Sequence, residues 1–324
     1  MRSSMRKRPT MLIARRISRL LATLALVATA ESRADVLAYA AGDVAECGKH
    51  AAEKSTAAQT AKMIPDNAVV FVVGDTAYPL ATHATLESCY APTWGPFLSR
   101  TYAVPGNHDY VNGSAADFLD YFGARTPNKT WFRVQVGDWW VIGLDSNISG
   151  AKLAEQQTWL EDQMKAIDGD GHCVLAMWHH PLFSTGLHHG DGNRMRPAWA
   201  ALDAAGADLV LNGHEHFYES YGPRDASGHA VPVGLREIIA GTGGAGLYDL
   251  SLSGGYKKYA RVHGVLELHL QKDRYDYAFR TLRGRVLDSG AAQCRRGETA
   301  RVPALNTPAI AKPTLSTHAP PGTR

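Results

Sequence analysis

Short apolar runs, each closed by a glycine or a polar turn, recur along the first two thirds of the chain. Val36–Ala41 ends in Gly42-Asp43, and the β-branched run 68–73 ends in Gly74-Asp75. Thr101–Val104 and Pro105 lead into Gly106-Asn107-His108-Asp109. Residues 173–178 lead into His179-His180-Pro181, and 208–211 into Asn212-Gly213-His214-Glu215-His216. Continuous apolar runs of this length predict strands buried on both faces. Helices are predicted between them. Residues 50–63 are Ala-rich and stopped by Pro65-Asp66-Asn67. A short helix is predicted at 94–100, and another at 114–122 with Ser114 as its N-cap. Residues 153–167 place apolar side chains at 153, 160, 164 and 167 among Glu, Gln and Asp, an amphipathic surface helix. A last helix is predicted at 196–205. Residues 131–136 and 139–144, split by Gly137-Asp138, predict a hairpin. The Gly-rich remainder predicts antiparallel strands at 237–240, 264–270, 275–282 and 286–288. Early βαβ units followed by an antiparallel half imply a mixed α/β (α+β) fold, with two packed sheets and helices outside.

Composition changes this picture mainly at the ends. The length of 324 residues is ample for a sizeable core. Residues 1–34 read as a signal peptide rather than as part of the fold. Arg2, Arg6, Lys7, Arg8, Arg15, Arg16 and Arg19 precede an apolar stretch at 20–30, and small residues allow cleavage after Ala30 or Ala34. The apolar stretch is too short for a membrane anchor, and Arg15-Arg16 hints at twin-arginine export. This segment holds eight Lys/Arg and one acid, so the mature chain nets about −4 where the whole carries +3. No basic nucleic-acid surface and no membrane span is expected after the leader. A single folded domain is expected over 35–294, and the Pro/Thr/Ala-rich residues 295–324 as a disordered tail. Four cysteines, Cys47, Cys89, Cys173 and Cys294, suit pairing in an exported protein, with Cys47–Cys89 the favoured bridge. Without a CxxC pair, a thiolate zinc site is not expected.

The chemistry lies at the strand ends. An Asp after Gly is ordinarily a turn or a helix cap, and a lone histidine ordinarily a satisfied one. Five strands ending in Asp43, Asp75 with Tyr78, Asn107 with His108, His179, and His214 with His216 form a joint pattern instead. It suits a two-metal site, in which one carboxylate must be shared between neighbouring cations. Imidazole and carboxylate favour zinc, iron or manganese, and a phenolate favours a ferric ion.

Gly42-Asp43, GDTAY (74–78), GNHD (106–109), HHP (179–181) and GHEH (213–216) resemble the five blocks of the calcineurin-like metallophosphoesterases. Within these, the chain is similar to the compact, single-domain purple acid phosphatases. Asp43-Val44-Ala45 lacks the histidine that the superfamily carries in its first block, and Tyr78 matches the tyrosine used instead. The resemblance implies a four-layer αββα sandwich and a hydrolase of small phosphate monoesters, which the leader would export. It assigns Asp43, Asp75, Tyr78 and His216 to Fe(III), and Asp75, Asn107, His179 and His214 to a divalent Zn, Mn or Fe. His108 would serve the leaving group, with Asp109 expected to orient it. His188 and His189 would contact phosphate. The alternatives are a phosphodiesterase or nucleotidase on the same site, or a non-catalytic phosphate- or metal-binding protein.

Overall fold

The computed structural model describes residues 35–48, 51–123, 129–189, 192–251 and 256–295. The leader expected at 1–34 and the tail beyond Arg295 lie outside them. In chain order the elements are β1 (Val36–Ala41), α1 (Thr56–Ala61), β2 (Val69–Val73), the single turn α2 (His83–Thr85), β3 (Thr101–Val104), α3 (Ala116–Phe122), β4 (Phe132–Val136), β5 (Trp139–Gly143) and α4 (Gly150–Ala166). There follow β6 (Cys173–Met177), α5 (Arg196–Ala204), β7 (Leu209–Asn212), β8 (Tyr218–Tyr221), β9 (Arg236–Ala240), β10 (Tyr256–Ala260), β11 (Gly264–Leu270), β12 (Arg274–Thr281) and β13 (Val286–Gln293).

These strands make two mixed sheets. The first runs β13-β12-β11-β1-β2-β3, and the second β10-β8-β9-β7-β6-β5-β4. β1, β2 and β3 are parallel, with β11 antiparallel to β1. β5, β6, β7 and β9 are parallel too. The period of two decides what each strand buries. Phe71 and Val73 point between the sheets with Val104, Leu175, Met177, Leu211, Leu266 and Leu268. Val70 and Val72 face the other way, under Ala57, Ala61, Trp94 and Phe118. The second sheet's outer face packs Val174, Ala176 and Val210 against Leu160, Met164, Trp199 and Leu202 of α4 and α5. Full burial of each Val, Leu, Met or Phe among these is worth roughly 1.5–3 kcal/mol, so the double-sided strands are the rigid frame. Because parallel strands share their C-terminal edge, the polar closures of β1, β2 and β3 emerge together.

Several expectations shift in detail. The helix expected over 50–63 is α-helical only at Thr56–Ala61 among its described residues. Ser55 interrupts it and caps the later part, its Oγ accepting from Ala58 N at 3.2 Å. Residues Gly95–Arg100 form a 3-10 helix. Ser114 stands one residue before the cap of α3, although its Oγ accepts from Ala116 N at 3.2 Å. β8 and β10 were not anticipated, and β9 is antiparallel only to β8, running parallel to β7. All four cysteines pair, as the favoured Cys47–Cys89 and as Cys173–Cys294. No helix among the described residues is long and apolar enough to cross a membrane.

Candidate metal centre

Three side chains that close strands do so from a left-handed backbone. Asp43, Asp75 and His214 have φ of 56°, 52° and 70°. A non-glycine residue there costs roughly 1–3 kcal/mol, which persists only where surrounding bonds fix the turn. Those bonds are present. Asp43 Oδ2 accepts from His214 N at 2.9 Å, and Asp75 Oδ1 from His108 N at 2.8 Å. Gly74, at φ +90°, lies so close to the His179 ring that a Cβ would collide with it.

With those oxygens committed, the remaining ones converge. Asp75 Oδ2 lies 2.9 Å from Tyr78 Oη and 3.3 Å from His179 Nε2. Tyr78 Oη is also 2.9 Å from Asp43 Oδ1 and 3.0 Å from His216 Nε2, which is 3.1 Å from Asp43 Oδ1. On the other side His214 Nδ1 is 3.2 Å from His179 Nε2. Two ligand groups result, Asp43–Asp75–His216 and Asp75–His179–His214, sharing Asp75. A third group of ligand-type residues, Cys173, Asp208 and Cys294, carries no such site, since its thiols form a disulfide.

The donor set fits a pair of cations, by proton bookkeeping. His216 Nδ1 faces Gly246 O at 2.5 Å and His179 Nδ1 faces Val73 O at 2.9 Å, so both Nδ1 atoms carry the proton. Each Nε2 therefore turns a lone pair toward a carboxylate oxygen. The one proton of Tyr78 Oη cannot satisfy three acceptors at once. Such a cluster needs positive charge at its centre. In the protein alone that demand falls on protons. Burial opposes charge on His179, but Asp75 outweighs it and raises His179 to about 9. His216 is raised in the same way by Asp43 against its burial. Burial and the two carboxylates push the Tyr78 phenol well up, so only a cation would draw out the phenolate. His214 is driven down by burial and by His179.

Residues 21–218 match the profile of the calcineurin-like phosphoesterase family. The chain belongs to that family. Purple acid phosphatase 15 of Arabidopsis thaliana is 24% identical over 212 residues, covering 54% of this chain and 40% of that protein. A probable glycerophosphodiester phosphodiesterase GpdQ of Arcobacter nitrofigilis is 31% identical over 94 residues, 28% of this chain and 34% of the other. This chain thus spans two fifths or less of the length of these curated relatives. Among solved structures, a purple acid phosphatase from yellow lupin (Lupinus luteus) seeds shares the fold with a TM-score of 0.61 at 15% identity, over 81% of this chain and 54% of that one. GAP50, described as the anchor in the inner membrane complex of Plasmodium, does so at 0.60 and 15%, over 80% and 89%.

The remaining family-block residues surround the two clusters. His108 turns Nδ1 to Pro79 O at 2.6 Å and Nε2 to Asp75 Oδ2 at 3.9 Å, its ring 4.5 Å from that of Tyr78. Asn107 opens the short turn Asn107–Asp109 and is exposed, its carboxamide making no hydrogen bond among the described residues. Asp109 does not orient His108. Its buried carboxylate turns away to accept from Gly106 N at 2.7 Å and from the amide and hydroxyl of Thr76, locking the β2 and β3 closures together. Proximity in sequence suggested the pairing, but Asp109 points back under the turn, and Pro79 O does the orienting. His188 and His189 are exposed, with the His189 ring 4.0 Å from His214 and the His188 ring 4.6 Å from Tyr248. Tyr248, which sequence reasoning missed, stacks on His216 at 3.8 Å and 9°. Lying 32 positions beyond His216 in a Gly-rich stretch, it left no local signal. His180 takes no part in either ligand group. It bonds Ser146 Oγ at 2.7 Å and is lowered to about 3 by burial and by His179.

Proposed function

We propose that this chain is an exported, metal-dependent phosphoric ester hydrolase of the purple acid phosphatase kind, acting on small monoesters. The observation that carries the reading is that two ligand groups share one carboxylate, Asp75. The fold alone would not suffice, since GAP50 shares it. Asp43, Asp75, Tyr78 and His216 would hold Fe(III), and Asp75, Asn107, His179 and His214 a divalent Zn, Mn or Fe. Residues 35–294 form the catalytic domain in this reading, behind a leader at 1–34. The two disulfides are compatible with export.

A metal pair held by these residues would supply an acidified water and Lewis acidity toward phosphoryl oxygens. The protein's own groups do the rest. Asp75 spends Oδ1 on His108 N, which leaves Oδ2 free to act as a ligand. With Nδ1 tied to Pro79 O, His108 presents Nε2, the atom able to hold a proton for the departing alkoxide. The exposed His189, its ring 4.0 Å from that of His214, would contact a phosphate seated there, with His188 beside it against Tyr248.

A second reading is favoured by one observation, the 31% identity to the phosphodiesterase relative over 94 residues. Metal content by elemental analysis, with turnover of p-nitrophenyl phosphate against bis(p-nitrophenyl) phosphate, separates the two. Two metals per chain and faster monoester turnover are expected. Faster diester turnover gives the second reading, and metal without turnover leaves a binding protein. A visible phenolate-to-iron band absent from Tyr78→Phe identifies the ferric site, and a colourless, fully active di-zinc protein refutes it.

A further inference from the structure

The residues that fix His216 lie outside both its own motif and the matched region 21–218. They belong to the strap 245–251 between β9 and β10. Gly246 O takes the His216 Nδ1 proton, Tyr248 N donates to His216 O at 3.1 Å, and the Tyr248 ring covers the imidazole face. The strap has no regular structure of its own, so something must hold it against the site. Backbone bonds anchor its two ends, from Ala245 N to Asp43 O at 2.9 Å, from Leu187 N to Asp249 O at 3.3 Å and from Ser251 N to Thr185 O at 2.7 Å, and one side chain fixes the carbonyls between them. Arg261, just after β10, donates from Nε to Tyr248 O at 3.0 Å and from Nη2 to Leu247 O at 3.1 Å, and pairs with Asp249 at 3.1 Å. Around it, His263 Nε2 reaches Ala245 O at 2.8 Å, and Gly246 N donates to Glu46 Oε2 at 2.8 Å.

We propose that Arg261 is a positioning residue for one of the two metal sites, acting through the Gly246–Tyr248 strap on His216. The inference rests on the proposed binuclear reading. The planar guanidinium suits the task because two donors in a fixed fork span two successive carbonyls, which the single ammonium of lysine cannot do. The ion pair to Asp249 contributes little of the effect, because Asp249 is 73% exposed and Arg261 51%. The Asp75–His179–His214 group takes no bond from the strap to its imidazole Nδ1 atoms, so the effect falls on one site only.

The test is a zinc titration of the metal-free mature protein by calorimetry, with ultraviolet difference spectra recorded alongside. Beside the shared Asp75, Tyr78 Oη contacts Asp43 and His216 of the one cluster, so the phenolate band that appears on binding marks that equivalent, and Tyr78→Phe supplies the blank. In Arg261→Gln the equivalent that raises the band is expected to weaken about 10- to 100-fold, as for partners that orient a ligand. The other equivalent should stay within about threefold of wild type. Arg261→Lys should fall between Gln and wild type, and serves alone if Gln fails to fold. Asp249→Asn should stay within about threefold of wild type at both sites, because the pair is exposed. Equal weakening of both equivalents, unchanged affinity in both Arg261 variants, or a loss in Asp249→Asn matching that of Arg261→Gln overturns the role of Arg261. Wild-type protein that binds no zinc pair removes the binuclear reading itself, a separate outcome.

Discussion

Gly106→Ala isolates the close approach of the β3 closure to Asp75. Gly106 has φ −99°, a conformation open to alanine, so backbone preference does not enter. The obstacle is contact: an added Cβ would collide with Asp75 Oδ1 and approach the Asp75 backbone N at 2.5 Å. Neither side of the contact yields freely, since Asp75 Oδ1 is bonded to His108 N and Gly106 is held through its own N by Asp109. Relief therefore requires the 106–109 turn to move by a few tenths of an ångström to about one, carrying Asn107 and His108 with it. Overpacking of this kind costs about 1–3 kcal/mol of stability. A displacement of that size at catalytic groups costs up to about 100-fold in rate, or about 2.7 kcal/mol of barrier. The assay is kcat/KM on p-nitrophenyl phosphate beside Tm and metal content. Gly222→Ala is the control, because a Cβ there meets nothing within 4 Å. Gly106→Ala with wild-type kcat/KM and Tm would refute the argument that this glycine is required by contact with Asp75.

His108→Ala should retain both metals and lose about 10²–10⁴-fold in kcat on an alkyl phosphate, with a much smaller loss on p-nitrophenyl phosphate, whose leaving group needs no proton. Equal losses on the two esters exclude the acid role. Asp109→Asn should lower stability by about 1–3 kcal/mol through the orphaned Gly106 and Thr76 donors, with wild-type dependence on leaving group. A selective loss on alkyl esters at unchanged Tm would restore Asp109 as an orienter of His108. Glu267→Gln tests a clamp between β1, β11 and β12, where Glu267 accepts from Tyr39 Oη at 2.6 Å and from Arg280 at 2.6 and 3.0 Å. Burial would raise this carboxyl, but the bonds from Arg280 and Tyr39 hold it at about 2. Its folded value is depressed, so its contribution is present above the ordinary carboxyl range and lost as pH falls toward 2. The clamp is partly open to water, which limits it to about 1 kcal/mol. Denaturation curves should show wild type and variant apart at pH 6 and converging near pH 2, and a gap that widens on acidification refutes the linkage.

The strands that frame the site were legible because burial on both faces imposes a continuous apolar run, and the run ends where the chain reaches the ligand edge. Ligand-type residues at five such ends pointed to a candidate metal centre from Asp43 to His216 without any contact being known. Chain punctuation was less informative where neighbours override it. Ser55 splits a segment whose composition favours one helix, and the Gly-rich stretch beyond Phe217 hid β8 and β10, which exist by pairing with strands already in place. Tertiary structure alone decided which atom of each ligand faces the centre. The carbonyls of Val73, Pro79 and Gly246 set the imidazoles of His179, His108 and His216. A backbone carbonyl has no residue signature, so no sequence pattern marks it. The same reason separates Asp109 from His108, adjacent along the chain but turned to opposite tasks, and joins Tyr248 and Arg261 to His216 across a fold that brings distant segments together.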